Sequence, residues 1–397
     1  MIATAAALLP VDAEAAPRRR AMADASSIQS QPAPLPVLAA PVNAAPKPPA
    51  PPPAPMGVFG AAVPGAGKLV LSINSAFGNL AGIKMGTRTV SNEYIVTNVP
   101  FFLNPKQPVR IIPQNISFRT QILGLSYGVT DDFAAVLTAG MAEKSLEALT
   151  FKGTSGILPL GRSYPGTEGL ADFTLSGVYR VYHDDIHRVM VNLGFSFPTG
   201  SNTATFNNFL LPTGVRQNIR GFYGMQIGTG TFDIMPGVVY AGYLGPWSWG
   251  LAYRSRLPLA ANSLGYSWNY LLDYRLRFPL GLSPSQGYRW GDLHEFNAWV
   301  GYTWTPGLTT TFRVNGSTQG PIRGFDPEIR GPAVPANPAF YGGQRVELFG
   351  GGTISGKLIG YDNWTLAGEA GLPVYQNLNG PQIMKNWQAG ISLRYKR

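Results

Sequence analysis

Arginine recurs on one face of a period-two pattern in this chain. Arg180, Arg188, Arg254, Arg256, Arg313, Arg345 and Arg394 take alternate positions in apolar stretches, and Arg119 falls in the same frame. Asp172, Asp233, Glu295, Glu347 and Glu369 fall on the matching face of neighbouring stretches. Such a set supports two kinds of chemistry. Guanidinium and carboxylate can pair and stiffen an enclosed space, or uncancelled cations can ring a constriction and concentrate anions there. Arg119, Arg180, Arg254, Arg256, Arg313, Asp233, Glu295 and Glu369 are therefore the candidate solute-facing residues. Arg254 and Arg256 carry the sharpest expectation, because Gly250 and Ala252 leave room beside them, and Asp233 is the expected partner.

Other chemistries find little support. Cys is absent, so thiolate catalysis and Cys-ligated metal sites are excluded. His183 and His187 flank an acidic turn but supply two ligands where a tetrahedral metal site needs four. No Ser stands in a nucleophile-elbow pattern, and Gly67-Lys68 ends like a phosphate loop whose pattern Ala62 and Leu69 break. The sequence thus argues for no enzyme, no metal and no cofactor. The formal charge of +10 is spread along the chain apart from Arg18, Arg19 and Arg20, which argues against a nucleic-acid surface.

The elements that would hold these residues are strands. Charged residues make up only 13% of the chain, against roughly 25% in soluble domains. No apolar run reaches the ~18 residues of a spanning helix. Instead Val189, Val191, Leu193, Phe195 and Phe197 alternate with Arg188, Asn192, Gly194 and Ser196. Trp247, Trp249, Leu251 and Tyr253 alternate with Ser248, Gly250, Ala252 and Arg254. Trp387, Ala389, Ile391, Leu393 and Tyr395 do so with Gln388, Gly390, Ser392 and Arg394. Period two over about ten residues is a strand long enough to cross a bilayer at a tilt. Short turns are expected at 128–131, 183–186, 245–246, 306–307 and 360–363, with long loops at about 143–168, 198–230, 258–292, 318–343 and 374–385. The pattern predicts an all-β fold, a transmembrane antiparallel β-barrel over 68–397. It has about twelve strands, an even number as in bacterial single-chain barrels, or fourteen if 79–112 holds another hairpin. Trp247, Trp249, Trp304, Trp364 and Trp387 are expected in interfacial girdles.

Ahead of the barrel, residues 1–16 look like part of a secretory signal, with an A-x-A site at Ala13-Glu14-Ala15. Residues 17–67 hold a Pro/Ala run and a single aromatic, Phe59, and are expected to be a disordered linker. Such a linker could engage a periplasmic or cell-wall partner. Lipid of the outer membrane and a small-molecule solute are the other expected partners.

Five stretches resemble a known family, the outer-membrane channels linked to the meta-pathway of phenol degradation. They are Gly169–Asp172, Phe197–Gly200, Gly228–Asp233, Trp247–Gly250 and Leu372–Gln382. The resemblance covers roughly residues 115–395 and implies a β-barrel that passes small solutes, aromatic ones among them. The chain departs from the pattern in Ala171, in extra length at 266–287, and in ending Tyr395-Lys396-Arg397. The functional expectation is a bacterial outer-membrane channel for small anionic or aromatic solutes. The alternative is a structural or adhesive barrel with a closed lumen.

Overall fold

The computed structural model describes residues 52–262 and 287–397. The signal-like segment 1–16, residues 17–51 of the linker and most of the extra loop length at 266–287 lie outside the described residues. The wall consists of β1 (Leu69–Gly86), β2 (Ile111–Gly128), β3 (Phe133–Phe151), β4 (Phe173–His183), β5 (His187–Phe197), β6 (Asp233–Leu244), β7 (Trp247–Pro258), β8 (Leu293–Thr305), β9 (Leu308–Gln319), β10 (Gly343–Ser355) and β11 (Trp364–Lys396). Each pairs antiparallel with its neighbours, and β1 closes the ring by pairing with both β2 and β11. β11 crosses twice. Its first half runs antiparallel to β10 and its second half antiparallel to β1. The Trp364 and Tyr395 rings meet at 4.9 Å, and Lys396 N–H donates to Asn363 O at 2.9 Å. Eleven strands thus make the twelve crossings that the turn parity predicts.

The region 79–112 adds no further crossing of the wall: Arg88–Val90 only folds back along the end of β1, pairing with Ile83–Met85. The region also holds a short helix, Asn92–Asn98, capped by Ser91 Oγ, which accepts from Tyr94 N at 3.2 Å, and two short paired strands. The fourteen-strand alternative therefore falls away. The five short turns stand where expected, whereas 374–385 is continuous strand rather than a long loop.

Outward residues form the apolar band that alternation demands. Leu71, Ile73, Leu123, Leu175, Leu193, Leu251, Phe312 and Ile391 are all exposed. A contiguous apolar surface of this kind is foreign to soluble monomers and belongs in lipid. At the short-turn end Trp247 packs on Tyr302 at 4.9 Å and Tyr302 on Trp304 at 4.8 Å, a girdle segment. Trp249 and Trp387 stand higher on the wall, paired with Gly242 and Asn79.

The long loops pack into a dome. Phe206, Phe209, Phe222, Tyr223, Met225 and Tyr288 are essentially inaccessible. Arg110 is buried there without a carboxylate and donates to the carbonyls of Gly153, Gly156, Lys152 and Ser155 at 2.8–3.2 Å. Four acceptors satisfy the guanidinium fork and fix the 151–158 loop, which offsets much of the cost of burying the charge.

The turn between β4 and β5 carries a pH-sensitive lock. Asp184 accepts from His187 N, Tyr182 OH and Ile186 N at 2.5–2.8 Å, and these bonds hold its carboxyl at about 2, down from 3.8. The folded value is the lower one, so the contribution is present above about pH 4 and lost as pH falls toward 2. Acidification from pH 5 to pH 2 is expected to raise amide exchange at Ile186 and His187 while the mid-barrel amides stay protected. Unchanged exchange at those two amides would refute the lock.

Candidate functional site

Register fixes which side chains share the lumen. Asn192, Gly237, Arg254, Glu295 and Ser317 stand opposite one another across β5 to β9, on the inner face. On the same parity Arg313 faces Phe349, and Gly351 faces Glu369. Of the eight candidate residues, seven are inside: Arg180, Arg254, Arg256, Arg313, Asp233, Glu295 and Glu369. Arg119 is outside. It pairs across the register with Glu143 and Phe77 on the outer face, exposed, with its guanidinium 5.8 Å from the Phe77 ring. The inner positions of β2 include the apolar Ile116, Phe118 and Ile122 beside Thr120.

The seven do not form one ring. Arg180 stands at the short-turn rim, where its Nε donates to Asp132 Oδ1 at 2.8 Å and ties down the turn after β2. Arg256 bridges two carboxylates at the other end: Nε donates to Asp233, and one terminal nitrogen lies 3.4 Å from Asp172 Oδ2 and 3.1 Å from Ser196 Oγ. Arg313 pairs with Glu369, donates to Asn297 Oδ1 at 2.6 Å, and lies 3.9 Å from the Phe349 ring. Glu295 lines a chamber with them. Five of the seven are thus in ion pairs, and among the described residues Arg254 and Glu295 are not.

Arg254 meets a partner the sequence hides. Its guanidinium sits 4.1 Å from the ring of Phe59. Residues 52–67 are not a disordered linker: they enter the barrel. Ala66 N donates to Asp131 Oδ1 at 3.0 Å and Gly67 N to Gly128 O at 2.8 Å, at the short-turn end. From there the chain climbs the lumen and turns at Pro55–Val58, where Val58 N donates to Pro55 O at 3.1 Å. Val58 is buried with Val178, Met190, Val239, Ala241 and Trp299, and Ala54, Phe59, Ala61 and Val63 pack on that cluster. Gly57 is required by space, since a Cβ there would overlap the Arg313–Glu369 pair. The linker boundary expected at 67 gives way for a physical reason: three large apolar groups suffice once a concave apolar wall receives them.

Above this plug lie two chambers. The lower, about 190 Å³, is polar and lined by Glu295, Arg313, Glu347, Glu369 and Lys385 over Met56 and Gly57. The upper, about 340 Å³, is apolar and roofed by the dome residues Phe222, Met225, Trp290 and Phe340. Lys385 lines both, donating to Glu347 Oε2 at 3.2 Å and Gln388 Oε1 at 2.8 Å. Lys385, Lys144 and the roof aromatics were not among the sequence candidates. Lys385 sits past a bulge where alternation breaks, and the aromatics sit in loops. Among the described residues no three His, Cys, Asp or Glu cluster as metal ligands, and His187 Nδ1 lies 2.9 Å from Tyr240 OH.

Arg254→Gln leaves the Asp172–Asp233–Arg256 group untouched and removes the contact to Phe59. A cation–π contact is worth about 1 kcal/mol, so open events in single-channel records are expected to become about fivefold more frequent. Identical open probability would show that Phe59 does not anchor the plug.

A closed antiparallel wall, apolar outside and charged within, with short turns at one end and long loops at the other, defines a transmembrane β-barrel of the outer-membrane type. No family model and no curated protein matches the chain. Among solved structures it is similar to an outer-membrane channel from Pseudomonas putida F1, with TM-score 0.51 and 13% identity over 85% of this chain and 97% of that one. More distant likenesses include the P. putida toluene transporter TodX (TM-score 0.41, 8% identity, 83% and 90% covered). A Pseudomonas aeruginosa FadL homologue is similar at TM-score 0.39 and 9% identity, with 83% and 90% covered. The likeness is one of fold.

Proposed function

We propose that this chain is an outer-membrane channel that takes small solutes with an apolar body from the long-loop side and passes them through a normally plugged lumen. The observation that carries this is the stacking of an apolar chamber on a polar one above a segment that fills the lower lumen. A merely structural barrel of this size has no need for a cavity of ligand dimensions, which run from roughly 300 to 1,000 Å³. The resemblance to the phenol meta-pathway channels supports an aromatic solute, and so do the aromatic walls of the upper chamber. A closed structural barrel is the second reading, favoured by the plug itself. Swelling of liposomes holding the purified full chain tests the two. Swelling in small aromatic solutes, with little in sugars of the same size, is the expected result. No swelling in either would favour the closed barrel.

A further inference from the structure

The upper chamber has an electrostatic asymmetry that its apolar lining does not require. Ile116, Phe118, Leu146, Phe222, Trp290 and Phe340 supply most of its surface, yet Arg345, Lys385 and Lys144 also reach it and no Asp or Glu does. The three cations are not equivalent. Lys144 Nζ is engaged by the carbonyls of Gly224 and Gln226 at 3.1 and 2.6 Å, which fastens the roof to β3. Lys385 is engaged by Glu347 at 2.9 Å and by Gln388. Arg345 has no hydrogen bond or ion pair from its side chain among the described residues, and its Nε is both buried and unpartnered. Glu347, two residues along β10, is the nearby acid, and Lys385 already serves it.

An arginine Nε buried without an acceptor is costly, and the rest of the Arg345 side chain is only partly buried. Arg110 in the same molecule is surrounded by carbonyls, and Arg188, whose buried Nε also lacks a partner, lies 5.2 Å from the Tyr243 ring. Arg345 is left open instead, at the wall of a cavity with one ligand's worth of room. We infer that the upper chamber is a binding site for a small amphipathic carboxylate, its apolar body among the aromatic residues and its anionic head on Arg345. The planar fork of Arg345 matches a carboxylate bidentately, and Lys385 lies on the route onward to the polar chamber. The inference rests on the channel reading for its biological sense and names the solute class, but the site can be tested without transport.

The test is calorimetry on the full chain in detergent with benzoate, its neutral counterpart benzamide, and acetate. Benzoate is expected to bind at least about tenfold more tightly than benzamide, the ratio set by losing a charge-assisted bond, and acetate below detection because it lacks the apolar body. Arg345→Gln, with folding checked by its heat-shift on gels, is expected to erase the preference for benzoate while retaining benzamide. Equal binding of benzoate and benzamide to the unmodified chain, or no binding of either, overturns the site. So does a benzoate preference that survives in Arg345→Gln. Liposome swelling run alongside separates the two readings. Selective binding without swelling keeps the site and removes the channel, whereas swelling without selective binding keeps the channel and removes the site.

Discussion

Deleting residues 52–64 from the full chain is expected to raise single-channel conductance by at least about tenfold, because the resistance of a pore is set by its narrowest water-filled section. Barrel geometry supplies the reason. An eight-stranded barrel is filled by its own side chains, and one of sixteen to eighteen strands leaves an aqueous channel. Twelve crossings leave a lumen too wide for side chains to fill and narrow enough for one chain segment to obstruct. Residues 54–63 occupy that space, and their apolar cluster with Met190, Val239 and Trp299 excludes water from the lower lumen. The wall does not depend on the segment. β1 begins at Leu69, whose N–H donates to Arg397 O at 3.0 Å, and its pairing with β2 and β11 lies wholly within the remaining chain. The deletion should therefore fold and keep the heat-dependent gel shift of a closed barrel. A conductance no higher than that of the full chain would show that the dome, not the segment, sets the resistance.

The wall was legible in the sequence because lipid outside and water inside impose a strict period of two, and because short turns leave compact Gly, Pro and Asp signatures. The same logic misplaced Arg119. Reading charge as inward holds only where the outer face meets lipid. β2 has 18 residues, whereas about ten suffice to cross the hydrocarbon. Beyond that depth Arg119 and Glu143 can share the outer surface, while Ile116 and Phe118 turn inward to form the apolar chamber. Alternation persists there, but its sense is reversed. The plug was illegible for a different reason. Ala, Pro and Gly around Val58, Phe59 and Val63 read as disorder, since the partner surface comes from β4 to β8, over a hundred residues away. The dome likewise draws its core from loops whose apolar residues show no period. The charged candidates were found as a face but not as pairs, because pairing depends on register.

Three of the five stretches that carry the family resemblance converge on one structural knot, and breaking it is expected to give a large loss of stability. Asp172 ends the first stretch, and its carboxylate accepts from Gly200 N in the second at 3.0 Å and from Thr229 N and Oγ1 in the third at 2.9 Å. Gly200 and Gly228 touch so closely that a Cβ on either would collide with the other's backbone. Asp233 ends the third stretch, accepts from Thr231 Oγ1 at 2.5 Å, and takes Arg256 Nε. Arg256 thus spans both carboxylates and holds two long loops to β5, β6 and β7. This separates it from Arg254, with which the sequence grouped it as a determinant of ion preference. Asp233 is buried whereas Arg256 is about one-third exposed, so Asp233→Ala leaves Arg256 held only by Asp172 and Ser196. Removing one partner of a fully buried pair costs about 3–5 kcal/mol, and the retained Asp172 contact brings the cost here below that range. The temperature at which the folded band disappears on gels should fall markedly, while Arg254→Gln leaves it near that of the full chain. Replacing both partners by apolar residues, Asp233→Leu with Arg256→Met, should recover much of the loss, because neither charge is then left unpaired. A reversal potential that shifts in Arg256→Gln without any fall in that temperature would return the residue to the permeation path and dissolve the knot.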